Sequence, residues 1–225
     1  MAGRGFSRSA LTGAQDYEHR LDTDADDAAL LIKHLSKEPA IVLGNSSGAI
    51  VSLQLLTRHP GIIRTLIPHE PPAMKLLPDF EELWKAQQDV YDTYRQSGVL
   101  PAFGKFIQLT KTEREAADFA QAIGNPENPY SFSNIQYWFE RELLYYPAVE
   151  FDMEILTAEK DKLLLLNGED TIPETLQYRP NTVLASRLAL NLTTMPGAHL
   201  GWAVKPQEFS EKLMELLKYT GVTTA

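Results

Sequence analysis

The 225-residue sequence contains no cysteine. That single absence excludes disulfide frameworks, zinc–thiolate sites, iron–sulfur clusters and thiol nucleophiles. Cations are also in deficit, with 21 Lys and Arg against 30 Asp and Glu and a formal charge of −9. Phosphate-rich partners bind through clustered cations, so neither nucleic acid nor an anionic membrane is expected as the main partner. Long apolar runs are missing as well. The longest, residues 40–43 and 163–166, are strand-sized and cannot span a bilayer. The first residues include two arginines but no apolar stretch of signal-peptide length, so a cytoplasmic location is expected. No internal repeat or low-complexity block is visible, which sets aside solenoids and linker-dominated architectures.

What is present is ordinary globular composition, 44% hydrophobic and 23% charged, in a chain long enough to bury a sizeable core. The spacing of Ala28, Leu31, Ile32 and Leu35 predicts a helix over 23–36, with Asp24, Asp26 and Asp27 in a solvated first turn. Residues 40–43 predict a buried strand ended by Gly44, and a helical pattern runs from Gly48 to about His59. Pro60-Gly61 stops that helix, and 62–67 is the next strand. Strand, turn, helix and strand make a βαβ unit, which calls for a parallel sheet. Residues 71–151 hold most of the aromatics, and prolines 71, 72, 78, 101, 126, 129 and 147 cut them into helical pieces. Strands at 163–166 and 191–195, a helix containing 184–189 and a final amphipathic helix at 206–219 complete the pattern. The expected organisation is a core made of 1–70 and 154–225, with a helical lid, 71–153, inserted between its parts.

Between the first strand and its helix stands Gly44-Asn45-Ser46-Ser47-Gly48, a G-x-S-x-G match in the strand–turn–helix context that this motif requires. Small residues on either side let the turn lift the Ser46 hydroxyl above the strand's carboxyl end. The helix N-terminus behind it favours developing negative charge, and the Ser47 N–H is a candidate oxyanion donor. A serine nucleophile needs a base. Of five histidines, His34 and His59 fall near helix C-termini and His19 among surface charges, whereas His69 follows a strand. His199, in the turn-rich Pro196-Gly197-Ala198-His199-Leu200-Gly201, is the preferred base because its loop follows the last strand. The third group should be a carboxylate that fixes the imidazole. Asp170, just past the strand at 163–166, is preferred; Glu169 beside it and Glu70 after the second strand are the alternatives.

With these residues in place, the chain resembles an α/β-hydrolase of the esterase/lyase-like superfamily over nearly its whole length. The resemblance rests on the elbow, on the P-G-x-H-x-G loop, and on Arg4-Gly5-Phe6-Ser7-Arg8-Ser9, which is similar to the family segment R-G-x-G-x-S. It implies an α/β-hydrolase fold, a mostly parallel sheet flanked by helices with an inserted helical lid, and Ser46, Asp170 and His199 as nucleophile, acid and base. The family places further strands and a His-Gly oxyanion loop before the R-G-x-G-x-S segment. An N-terminally truncated fold is therefore expected, with the Ser46 strand on an exposed edge that invites pairing into a homo-oligomer.

The resulting expectation is a serine hydrolase acting on an ester, lactone or thioester of a small apolar substrate, with no metal or organic cofactor. Trp84, Tyr91, Trp138 and Tyr145 are the candidate pocket walls. The competing readings are a catalytically impaired binding protein, or the same triad used for C–C cleavage, acyl transfer or perhydrolysis.

Overall fold

The computed structural model describes residues 3–117 and 127–219, so Pro126 lies outside the described residues. The first helix, α1, runs Arg20–Leu35 and buries Leu21, Ala25 and Ala29. It starts three residues earlier than the apolar spacing predicts because its first turn is anchored rather than solvated. The Arg20 side chain is buried and bonds to Asp24 through Nε at 3.2 Å, while Asp24 also accepts the Tyr146 hydroxyl. The expectation of a fully solvated acidic turn is therefore corrected at Asp24. Asp26 keeps more exposure and pairs with Arg58 and His59.

Four strands follow: β1 (Ala40–Asn45), β2 (Ile63–His69), β3 (Leu165–Gly168) and β4 (Leu192–Met195). They form one sheet in the order β1-β2-β3-β4, and every neighbouring pair is parallel. Parallel pairing requires a crossover between each strand and the next. The first is α2 (Ser47–Arg58), which buries Ala49, Ile50, Leu53, Leu55 and Leu56. Successive strand residues go to opposite faces, as the two-residue period of a strand demands. Leu66 and Leu165 join the core under α1 and α2, whereas Ile67 and Leu166 join Met195, Phe209 and Leu217 beneath the C-terminal helix. Strand β1 is paired on one side only among the described residues, and Leu43 on it is 41% exposed. Beside this edge lies an open cleft of about 1040 Å³ between α1, β1, α2 and residues 3–10.

The chain between β2 and β3 is mainly helical. It contains α3 (Phe80–Ser97), α4 (Val99–Thr110), α5 (Ser131–Arg141) and α6 (Met153–Ala158). Val90, Tyr94, Val99, Ala102, Phe103, Phe139 and Leu143 give α3, α4 and α5 a core of their own. Tyr94 and Phe139 stack there with ring centres 4.7 Å apart. Asn134 of α5 clasps the segment at residues 4–9, accepting from the Ser7 N–H at 2.7 Å and donating to its hydroxyl at 3.0 Å. After β3 come α7 (Arg179–Leu188), β4, the short α8 (Gly201–Val204) and α9 (Pro206–Tyr219). Among the described residues no helix is long and apolar enough to cross a membrane.

All strand carboxyl ends lie along one edge, so the residues that follow β1, β2, β3 and β4 share that edge, where open α/β sheets bind their ligands.

Candidate active site

Ser46 sits between β1 and α2 with φ 55° and ψ −125°. Positive φ is costly for a residue bearing a Cβ, and such strain persists only where the surroundings over-determine it. The surroundings here do so. The Ser46 N–H donates to the carbonyl of His69 on β2 at 3.1 Å, and its own carbonyl accepts from Ala49 at 2.9 Å to start α2. Gly44 is required by close approach, since a Cβ there would lie 2.3 Å from the Gly48 carbonyl oxygen. Gly48 itself has open space at its Cβ position, so only the first of the two small residues is demanded sterically. Ser47 is the first residue of α2, and its N–H is among those that an α-helix leaves without an internal acceptor. Its hydroxyl accepts the indole N–H of Trp138 at 3.3 Å.

His199 follows β4 on a loop shaped by two close approaches. Gly197 has φ 89°, and a Cβ on it would be 2.5 Å from the Cα of Gly201. Gly168, at the end of β3, has no room for a Cβ because the carbonyls of Gly197 and Ala198 would each lie 2.7 Å away. Backbone bonds from Glu169 to Met195 (2.8 Å) and from Asp170 to Gly197 (3.1 Å) bind the two strand ends together.

The carboxylate against His199 is Glu70. Its Oε2 lies 2.8 Å from His199 Nδ1, and its Oε1 accepts the Gly168 N–H at 2.8 Å. Glu70 is fully buried, and its φ of 48° turns the chain at the end of β2 so that the side chain points across the sheet edge. Burial by itself would raise the pKa of Glu70; the hydrogen bond and the charge of His199 outweigh it and hold the carboxyl below the ordinary glutamate value. An ionised carboxylate only accepts, so Nδ1 of His199 carries the proton and Nε2 is left with the basic lone pair. The structure thus brings Glu70, the alternative, against His199, and not the preferred Asp170. Asp170 and Glu169 contribute backbone, while their side chains are about half exposed and face Lys205 Nζ at 3.0 and 3.8 Å.

Ser46 and His199 line one cavity of about 200 Å³. Phe103, Phe106, Ile135 and Trp138 supply much of its apolar wall, and Gln177, Thr110 and Thr112 its polar part. Of the four aromatics expected in the wall, Trp138 alone is there. Trp84 instead stacks on Phe80 at 5.8 Å, Tyr91 packs against the α3–α4–α5 core, and Tyr145 is exposed. A helical face toward the sheet edge is set by tertiary packing, and aromatic content alone does not reveal it.

Two further buried groups lie nearby: His69, which the sequence offered as a histidine after a strand, and Glu142, which no sequence pattern marked. His69 is buried beside Asn45 and His199, and burial together with the charge of His199 pushes it down to about 4, against the pull of Glu70. Glu142, buried just past α5, is pushed up to about 8 by burial and by the charge of Asp24, against the stabilising effect of the Ser47 hydroxyl and of Arg20. Among the described residues no group of three or more His, Asp or Glu is placed to hold a metal ion.

A family model described as the alpha/beta hydrolase fold matches residues 1–172. The chain belongs to the alpha/beta hydrolase family. It is 32% identical over 221 residues to the uncharacterized hydrolase YraK of Bacillus subtilis (strain 168), covering 96% of this chain and 76% of that one. Among solved structures of this hydrolase fold, a thermophilic esterase from Thermogutta terrifontis superimposes with a TM-score of 0.67 at 18% identity, covering 97% of this chain and 78% of the other. The enol-lactonase from Burkholderia xenovorans LB400 gives 0.64 at 15% identity, covering 96% and 78%.

Proposed function

We propose that this alpha/beta hydrolase is a serine hydrolase that cleaves the ester, lactone or thioester bond of a small apolar substrate. The observation that carries the reading is the 2.8 Å contact between His199 Nδ1 and Glu70 at a cavity whose wall also includes the strained Ser46. Ser46 Oγ attacks the carbonyl carbon and forms the C–O bond of a tetrahedral intermediate, while His199 Nε2 takes the hydroxyl proton. The Ser47 N–H, at the positive end of α2, stabilises the oxyanion. Collapse of the intermediate breaks the bond to the leaving group, which receives the proton from His199. Water, deprotonated by the same imidazole, then releases the acid from the acyl-enzyme and restores Ser46. Glu70 keeps the imidazole in the required tautomer and offsets its charge when protonated.

The apolar lining of a cavity of only about 200 Å³ supports a short hydrocarbon or aryl acyl group over a long or charged one. The helices α3, α4 and α5 act as the lid in this reading, with residues 1–70 and 154–225 as the catalytic core. An esterase and an enol-lactonase among the similarly folded proteins agree with acyl transfer to water. Fluorophosphonate labelling of the purified chain, followed by intact mass and peptide mapping, tests it. A single adduct on Ser46 that His199→Ala abolishes is the expected result, and a folded chain that takes up no adduct overturns the proposal.

A further inference from the structure

Asn45, the residue before the nucleophile, carries three contacts on one side-chain amide. Its Nδ2 lies 2.8 Å from His69 Nδ1 and donates to the backbone carbonyl of His199 at 3.2 Å. Its Oδ1 accepts the indole N–H of Trp202, on α8, at 3.1 Å. These contacts decide which way the amide points. Were it flipped, a carbonyl would face the His199 carbonyl and an NH₂ would face the indole N–H, two repulsions in place of two hydrogen bonds.

The same orientation dictates the state of His69. An amide N–H must meet a lone pair, so Nδ1 is unprotonated and the ring is neutral with its proton on Nε2. That Nε2 is buried and has no hydrogen-bonding partner among the described residues, which rules His69 out as a second base working on the cavity. The ring is pinned instead, edge-to-face with Phe209 at 5.6 Å and nearly parallel to His199 at 6.5 Å between ring centres. The titratable groups around it are Glu70 and His199.

The geometry points to Asn45 as a positioning residue. We infer that its amide ties the His199 loop to the nucleophile turn, with neutral His69 as the fixed acceptor that aims it. Strand β1 leads into Ser46, and β4, at the far end of the sheet, leads into the loop of His199; Glu70 fixes the imidazole ring, but Asn45 fixes the backbone that carries it. This inference rests on the serine-hydrolase reading for its catalytic consequence and on geometry alone for its structural one, so the two can fail separately.

The test compares wild type, Asn45→Ala and Asn45→Asp at neutral pH. Fluorophosphonate labelling of Ser46 and turnover of a chromogenic short-chain ester are measured beside ¹⁵N NMR of the Trp202 indole and His69 ring. In Asn45→Ala the expected result is a fall in labelling rate and kcat of about 10- to 100-fold, KM within about threefold, and a displaced Trp202 indole resonance. Asn45→Asp places a carboxylate opposite His69 Nδ1 and should raise the midpoint of the His69 titration by about 1–3 pH units. A Trp202 resonance and His69 titration that both stay at their wild-type values overturn the inference, as does an Asn45→Ala chain labelled at the wild-type rate. A wild-type chain that is never labelled, while the NMR changes appear as expected, overturns the serine-hydrolase reading and leaves the amide tie standing.

Discussion

Glu70 Oε2 and His199 Nδ1 meet at 2.8 Å although 129 positions separate them along the chain. One follows β2 and the other follows β4, with β3 between them in the sheet. The Glu70 side chain crosses that gap beneath the end of β3, where the Gly168 N–H holds its second oxygen. Glutamate reaches one methylene further than aspartate, which helps the carboxylate pass the end of β3 toward His199.

Loss of this carboxylate should therefore be far more damaging than loss of the exposed acids. Glu70→Gln is expected to lower kcat toward a chromogenic ester by about 10³–10⁴, because an amide no longer enforces the Nδ1–H tautomer. Asp170→Asn removes only a surface contact with Lys205 and should leave kcat within about threefold. Steady-state kinetics on both variants distinguish the assignments; the reverse ranking would restore Asp170.

The two elbow glycines should differ sharply in tolerance. Gly44→Ala forces a methyl to within 2.3 Å of the Gly48 carbonyl, backbone that cannot swing aside. Destabilisation of about 3 kcal/mol or more is expected by chemical denaturation. Gly48→Ala meets open space inside helix α2 and should be neutral or stabilise by up to about 1 kcal/mol.

Strain at Ser46 predicts a trade of stability against the proposed function. In Ser46→Gly the positive φ is no longer penalised, and a gain of about 1 kcal/mol in unfolding free energy is expected while fluorophosphonate labelling disappears. Thermal melts of wild type and Ser46→Gly side by side check this, and a lower melting temperature for the variant would argue against stored strain.

Glu142 should leave a signature in the pH dependence of stability. Its folded-state pKa of about 8 stands above the ordinary value of 4.5, so between those limits the folded chain holds a proton that the unfolded chain has released. Its stabilising contribution is full below about pH 4.5 and is lost as the pH rises through about 8. The slope within that window is at most on the order of 1.4 kcal/mol per pH unit for this one group. Denaturant melts across pH 5–9 should show the decline in wild type and a flatter curve in Glu142→Gln.

The Ser46 turn was legible in the sequence because every constraint on it is local. A strand's apolar run, a glycine pressed against the next helical turn and a helix starting at once are written in consecutive residues, and β1, α2 and the elbow lie where that pattern predicts them. His199 was legible for a similar reason, since Gly197 and Gly201 shape its loop within a few positions. The carboxylate that meets His199 was not. Asp170, Glu169 and Glu70 all follow strands, and local pattern contains nothing that ranks them.

What the sequence alone determined, then, is the alternation of elements, the parallel sheet and the turn that exposes Ser46, because short-range sterics and periodicity decide these. Which carboxylate reaches His199, which aromatics face the cavity and which amide holds the histidine loop depend on strand order and on the rotation of packed helices. Those are outcomes of long-range packing, in which a side chain's partner is chosen by the three-dimensional distance between strand ends and not by its neighbours in the chain. Glu70 meets His199 past the end of β3, and only the folded sheet brings the two together.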